Sequence, residues 1–362
     1  MTRSSFQMFA YTVAIPFFVL LGKVHTMFEP KLEIIESGQD LSIAEMEETI
    51  DAVVGGSSSE DQIARLLVGL SAKGVKVTEL IGAARSLRKH MTPIRTNRTD
   101  LVDTCGTGGD NSGTFNISTA AAFVTAAAGV SVAKHGNRNV SSRSGSANVL
   151  AELGVNIEAA VPVVERCLDK LGICFCFAPL LHGALKHVAD VRKKLGKATI
   201  FNMLGPLVNP AGARYQLLGV GVAEWQPLIA EALSQLGTKR SVIVHGDGLD
   251  EVTLSGKTSV IEAKGNWTRQ FEWNPSDFGF DPIPLSSLKV KSVEQSAAVI
   301  KGVLTGNQGP ATDIVVANAA ASLWTVGRAE TLTECVDLAR EAIDIGTAND
   351  LLTRLATLSH ES

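Results

Sequence analysis

One junction constrains this chain more than any other. A short apolar stretch, Leu101–Thr104, runs straight into Cys105-Gly106-Thr-Gly-Gly109-Asp110, and an Ala-rich stretch, Ser118–Ala128, follows. Strand, glycine loop and helix in that order open an α/β unit. Glycines at such a turn let backbone N–H groups point inward and line a concave anion site that side chains would otherwise fill. The run is not G-x-G-x-x-G, because Asn111 stands where the third Gly belongs. Nor does Gly256-Lys257-Thr258 end a P-loop, because Glu251 occupies the first Gly position of that motif. Alone, the loop reads as a tight turn as readily as a ligand site.

Its neighbours tip the balance. Thr114-Phe-Asn116-Ile117-Ser118-Thr119 opens the Ala-rich helix, and the free amides and positive dipole end of a helix start suit a phosphate. Lys134-His135-Gly136-Asn137-Arg138, then Ser141-Ser142, leaves the apolar strand Val130–Ala133 at its carboxyl end, where open α/β sheets bind ligands. His245-Gly-Asp-Gly-Leu-Asp250-Glu251 leaves another strand, Ser241–Val244, and adjacent carboxylates on a loop can hold Mg²⁺ directly or through its waters. Ser118 offers a hydroxyl to a second ion. Each motif alone has a plain account as a cap, a solvated loop or an acidic turn; together they outline a cation-assisted pocket for phosphates. Two other constellations fall away. Cys174, Cys176, His182 and His187 lack the spacing of paired zinc ligands. No Ser-His-Asp set has a recognisable context, which argues against covalent catalysis.

The rest of the chain supplies a scaffold. At about 150 residues per domain, 362 residues make two domains. From Leu41 to about Met91 the pattern is three short amphipathic helices. Ser42 to Glu45 is a capping box, Ser59 to Gln62 opens the second helix, and Thr78 caps the third, which closes before Pro93. Helices this short must dock on something to bury their faces. Residues Arg95–Asp100 read as a hinge, Ser146–Leu153 as a helix, and Val293–Leu304, Asp313–Val326 and Thr333–Ile345 as a helical last quarter. The balance of 33 basic and 37 acidic residues, a formal charge of −4, argues against a duplex nucleic-acid binder. Five thinly spread cysteines read as reduced thiols, which points to a cytoplasmic protein. Met8–Leu21 is an apolar run of about 14 residues, short of the roughly 20 that span a bilayer. It has the length of a signal-peptide core, but only Arg3 precedes it and no cleavage pattern follows. Residues 1–26 are therefore expected to be an over-called start or a dispensable extension, with an export or anchoring segment as the alternative reading, and no membrane role is expected.

The ordered motifs Gly106-Thr-Gly-Gly-Asp110, Asn116-Ile-Ser-Thr119, Lys134-His-Gly-Asn-Arg138 and Asp250-Glu251 closely resemble the anthranilate phosphoribosyltransferase family. So do Val191-Arg192-Lys-Lys-Leu-Gly196 and Phe201-Asn-Met-Leu-Gly205-Pro-Leu-Val-Asn209-Pro210. The resemblance implies an α/β fold class: a small all-helical domain plus a large α/β domain with a mostly parallel central sheet. It implies boundaries of 27–94, joined by helices from about 160–195, and 95–362. A homodimer through the helical parts and an active site between the domains are also implied. The implied reaction joins anthranilate to 5-phosphoribosyl 1-diphosphate with Mg²⁺, two ions being expected, and releases diphosphate. Donor-binding residues would be Gly106, Gly109, Asp110, Thr114, Asn116, Ile117, Ser118, Thr119, Lys134, His135, Gly136, Asn137, Arg138, Ser141, Ser142 and Ser146. Anthranilate would meet Gly106, Asn137, Arg192 and His182, with the Arg192 guanidinium gripping its carboxylate in two-pronged fashion. Ser118, Asp250 and Glu251 would hold metal. Leu181, Gly183 and Asp190 depart from the family's usual Tyr, Pro and Pro. Two other readings of the same scaffold are a pyrimidine nucleoside phosphorylase and a non-enzymatic nucleic-acid binder.

Overall fold

The computed structural model describes residues 28–138 and 145–361. The expectations for residues 1–26 and for Ser141 and Ser142 lie outside the described residues. Helices α1 (residues 28–36), α2 (Ile43–Val54), α3 (Glu60–Lys73) and α4 (Val77–His90) build a helical lobe. Local chemistry sets their starts. The Ser42 and Ser59 hydroxyls accept from the backbone N–H groups of Glu45 and Gln62, whose side chains accept in return from the two serine amides. The third start differs from the expectation. Glu79 reaches back to accept from the Lys76 amide at 2.9 Å, so α4 begins at Val77, and the Thr78 hydroxyl donates instead to the Leu41 carbonyl.

The α/β part holds a seven-stranded sheet in the order β3-β2-β1-β4-β5-β6-β7. The strands are β1 (Val102–Gly106), β2 (Val132–Gly136), β3 (Ile173–Phe177), β4 (Tyr215–Gly219), β5 (Arg240–Gly246), β6 (Thr258–Lys264) and β7 (Trp267–Trp273). β1 to β5 run parallel, and β6 and β7 return antiparallel as an edge hairpin. Helices α5 (Ile117–Ala127), α6 (Ser146–Glu152), α7 (Val161–Leu171), α12 (Val293–Leu304), α13 (Pro310–Val326), α14 (Leu332–Asp344) and α15 (Thr347–Leu358) share one core. Helices α9 (Lys186–Leu195), α10 (Ile200–Leu204) and α11 (Gln226–Gln235) share the other with α1 to α4. The short α8 (Ala178–Leu181) follows β3.

Period-two alternation divides the sheet between these cores. Val242 and Val244 of β5 face the first, while Ile243 between them faces the second. The helical lobe therefore shares a continuous core with one face of the sheet. Arg88 of α4 strengthens that junction, donating to the carbonyls of Leu207 at 2.8 Å and Leu236 at 3.1 Å. Within residues 160–195, α9 packs on α3, whereas α7 packs on β3 and α15.

Candidate active site

The strand order reverses between β1 and β4: the chain leaves β1 towards β2 on one side and β4 towards β5 on the other. Ligands of open parallel sheets bind in the crevice above such a point, at the carboxyl ends of the strands. Here β1, β2, β4 and β5 all end on glycine, at Gly106, Gly136, Gly219 and Gly246. The reason is close approach. A Cβ on Gly106 would overlap the Asp250 carboxylate, one on Gly219 the Asp250 carbonyl, and one on Gly246 the Glu251 carbonyl. The acidic loop after β5 thus lies directly across the ends of β1 and β4.

Two of the expected anion cradles meet the acidic pair there. Gly108 and Gly109 adopt positive φ, 68° and 86°, and the Gly108 amide donates to Asp250 Oδ2 at 2.8 Å. The first turn of α5 presents the Ser118 amide to Glu251 Oε1 at 3.0 Å. Lys134 is buried, and its ammonium donates to the Ser118 hydroxyl at 3.1 Å and to the Thr104 carbonyl. Burial pushes its pKa down, against the pull of Asp103 and Glu251. Desolvation lifts the half-buried Asp250 and Glu251 carboxyls far above the usual carboxylate range, helped by repulsion from Asp110 and from each other.

Crowded, desolvated negative charge of this kind fits a divalent cation. Among the described residues no three His, Cys, Asp or Glu side chains form a metal cluster. Mg²⁺ takes one or two carboxylates and completes its shell with water and substrate phosphates, so an adjacent acidic pair is enough to hold it.

The other expected residues divide. Ile117 is buried in the core and offers only its backbone. The buried Thr119 hydroxyl donates to Asn116 Oδ1. The Thr114 and Ser112 hydroxyls sit 3.1 Å apart beside Asp110, whose carboxylate accepts from the Ser112 amide at 3.3 Å. Ser146 stands against Gly136, where a Cβ would overlap its hydroxyl. Asn137 is exposed and accepts from the Arg138 amide at 2.7 Å. Arg138 engages Glu158 at 2.6 Å and lies over the Phe177 ring.

A second group gathers around residues 201–209. His135 and His182 are buried with ring centroids 5.2 Å apart, bonded to the backbone of Gly205 and Val208 respectively. Burial pushes their pKa values to about 3 and about 4, so both are neutral, and the Nε2 atom of each lacks a partner among the described residues. The half-buried Arg192 guanidinium lies 5.6 Å from the Phe201 ring centroid and 3.3 Å from Asn202 Oδ1. Burial lowers its pKa, and no carboxylate pairs with it among the described residues. Cys174 and Cys176 share one face of β3 with their sulfurs 3.8 Å apart, and all five cysteines are free and buried.

Sequence reasoning missed several supports. Asp103 is buried and accepts from the His135 amide at 3.0 Å and from Asn209 Nδ2 at 2.7 Å, and Asn209 also donates to the Ala133 carbonyl. The Thr107 amide donates to the Gly219 carbonyl, and its hydroxyl accepts from the Gly221 amide at 3.0 Å. The closely spaced glycines at 219 and 221 were the available signal; nothing in the local pattern marks Asp103 or Asn209.

A helical bundle joined to a mostly parallel sheet with a glycine-lined, acidic crevice at its switch point is the architecture of a glycosyl transferase. Residues 32–91 match the helical bundle domain of the glycosyl transferase family, and residues 98–349 match its a/b domain. More narrowly, the chain belongs to the anthranilate phosphoribosyltransferase family. It is 48% identical over 330 residues to the anthranilate phosphoribosyltransferase of Rhodopirellula baltica, covering 91% of this chain and 96% of that protein. The crystal structure of the Thermus thermophilus enzyme superposes with a TM-score of 0.87 at 42% identity, covering 91% of this chain and 99% of that one. The Saccharomyces cerevisiae enzyme, solved in complex with PRPP and Mg, gives a TM-score of 0.83 at 26% identity, with coverage of 93% and 98%.

Proposed function

We propose that this protein transfers the 5-phosphoribosyl group from 5-phosphoribosyl 1-diphosphate to the amine of anthranilate and releases diphosphate, the second step of tryptophan biosynthesis from chorismate. The observation that carries the reading is the meeting of the Gly108 and Ser118 amides with Asp250 and Glu251 above the switch point. The same reading makes residues 27–94 and 95–362 the two domains.

The loop from Gly106 to Asp110, Thr114, the α5 start from Asn116 to Thr119, and Lys134 to Arg138 with Ser146 receive the donor. As the C1–O bond stretches, positive charge grows on the ribose and negative charge on the departing diphosphate. Backbone amides and the Lys134 ammonium aimed at that diphosphate lower the barrier, because they are oriented before the charge develops. Ser118, Asp250 and Glu251 would hold Mg²⁺, two ions in this reading, which when bound would neutralise phosphate charge. Arg192 binds the anthranilate carboxylate, with Gly106, Asn137 and His182 around the ring, so that the amine faces C1. The amine nitrogen forms the new bond to C1 and afterwards loses a proton to solvent. Positioning the neutral amine needs no strong base.

A homodimer through the helical lobe belongs to the same reading and rests on the resemblance alone. A cytoplasmic location suits five free thiols. Mixing protein, Mg²⁺, anthranilate and the ribosyl diphosphate tests the reaction through loss of anthranilate fluorescence. Unchanged fluorescence alongside phosphate-dependent cleavage of thymidine or uridine would transfer the protein to the nucleoside phosphorylases.

A further inference from the structure

Past its first turn, helix α13 buries Asn318, Ser322 and Thr325 almost completely. Two of them serve their own helix. The Ser322 hydroxyl donates to the Asn318 carbonyl at 3.0 Å, and the Thr325 hydroxyl to the Ala321 carbonyl at 2.7 Å. Asn318 behaves differently. Its Oδ1 accepts from the Val252 amide at 2.9 Å, and its Nδ2 donates to the Val252 carbonyl at 2.9 Å and to the Ile314 carbonyl. A buried amide costs free energy unless it is bonded, and an apolar residue would fill the same space more cheaply.

Val252 directly follows Glu251. Holding both its N–H and its C=O fixes the two peptide planes that flank it, and so fixes where the Glu251 backbone points. The opposite side of the loop is set by Gly219 and Gly246, which leave room for the carbonyls of Asp250 and Glu251 and nothing larger. Helix α13 also packs on α5, whose first turn presents the Ser118 amide to Glu251. Glu251, Ser118, Asn318 and Ser322 help line one small cavity. A single buried helix therefore registers both the acidic loop and the α5 start.

Resting on the assignment of Asp250 and Glu251 to Mg²⁺, we propose that Asn318 is the positioning residue of the metal-binding pair. It acts through the Val252 backbone and sets the carboxylates at their working distance from Ser118. Residues that orient metal ligands typically change metal affinity about 10- to 100-fold when removed.

Mn²⁺ affinity, read by electron paramagnetic resonance in the presence of inorganic diphosphate, tests this without turnover. The wild type should bind Mn²⁺, and Glu251→Gln should weaken it; failure of either overturns the metal assignment and this inference together. Given both, Asn318→Ala should weaken Mn²⁺ about tenfold or more. Ser322→Ala, in the same cavity wall, should lower the melting temperature yet shift Mn²⁺ affinity less than twofold. Unchanged affinity in folded Asn318→Ala, or an equal loss in Ser322→Ala, overturns the positioning role alone. Should Asn318→Ala fail to fold, Asn318→Ser carries the same expectation and the same refuting result.

Discussion

The two halves of the crevice hold opposite kinds of unmet charge. Above β1 and β5, two desolvated carboxyl groups lie against backbone amides, with the buried Lys134 drawing on Glu251. Beside α9 and α10, a desolvated guanidinium lies against an aromatic ring and a side-chain amide, with no carboxylate paired to it among the described residues. One half is built to gain positive charge and the other to gain negative charge. In the proposed reading a metal-bound diphosphate answers one demand and the anthranilate carboxylate the other, so changes on either side should affect different substrates.

The largest expected effect comes from removing the demand for a cation. Asp250→Asn combined with Glu251→Gln should raise the Mg²⁺ concentration for half-maximal activity. At fixed Mg²⁺ it should lower kcat/KM by about a thousandfold, the scale of several kcal/mol of charge stabilisation. An unaltered Mg²⁺ titration would reduce the pair to a surface turn. On the other half, Arg192→Ala should raise the KM for anthranilate about 10- to 100-fold, as loss of a charged hydrogen bond does. The KM for the ribosyl diphosphate should stay within about twofold. An equal rise in both would erase the distinction between the halves.

The legible part of the site was the part whose chemistry is local. A glycine loop after a strand, a Ser-Thr helix start and an adjacent acid pair announce themselves within a few residues, and the structure brings Gly108, Ser118, Lys134, Asp250 and Glu251 together. The first helix of the last quarter was legible as well: the expected Val293–Leu304 is the observed α12. What stayed hidden depends on distant contacts. Gly219 needs to be glycine only because Asp250 crosses it, and Asn209 matters because Asp103 and Ala133 sit beneath it. β3, β4 and the antiparallel hairpin of β6 and β7 went unread. Strands buried on both faces, such as β3 and β4, show no alternation, whereas the hairpin of β6 and β7 did carry a local signal, the two-residue Gly265-Asn266 turn, that was passed over. Arg138 was read as part of the pocket wall, and no pattern along the chain pointed to Glu158 as its partner.

A smaller effect tests the donor half through pH. The Asp250 and Glu251 carboxyls are raised to about 7 and about 8, so the folded protein holds their protons more tightly than the unfolded chain. Their contribution to stability is complete below the ordinary carboxylate range and is lost as pH rises through 7 and 8. His135 and His182 are already neutral across that window. Metal-free protein should therefore melt a few degrees lower at pH 8.5 than at pH 7.0. Mg²⁺ with diphosphate should remove the difference, and so should Asp250→Asn with Glu251→Gln. A melting temperature that rises over this range would mean the two carboxyls are ionised at rest and the donor half is already charge-balanced.

The smallest effect decides whether the donor half also keeps a cation in reserve. Arg138 follows the β2 end but is engaged with Glu158, and both side chains are more than half exposed. Exposed pairs of this kind contribute about 0–1 kcal/mol, so releasing Arg138 from Glu158 costs little. If the guanidinium turns to the donor phosphates, Glu158→Ala should lower the KM for the ribosyl diphosphate by about twofold while leaving anthranilate unaffected, and Arg138→Ala should raise it. The opposite signs matter more than the sizes, because general destabilisation would move both variants the same way. If neither variant shifts the donor KM, the phosphate contacts are confined to the glycine loop, the α5 start and Lys134. Arg138 then belongs to neither half of the crevice.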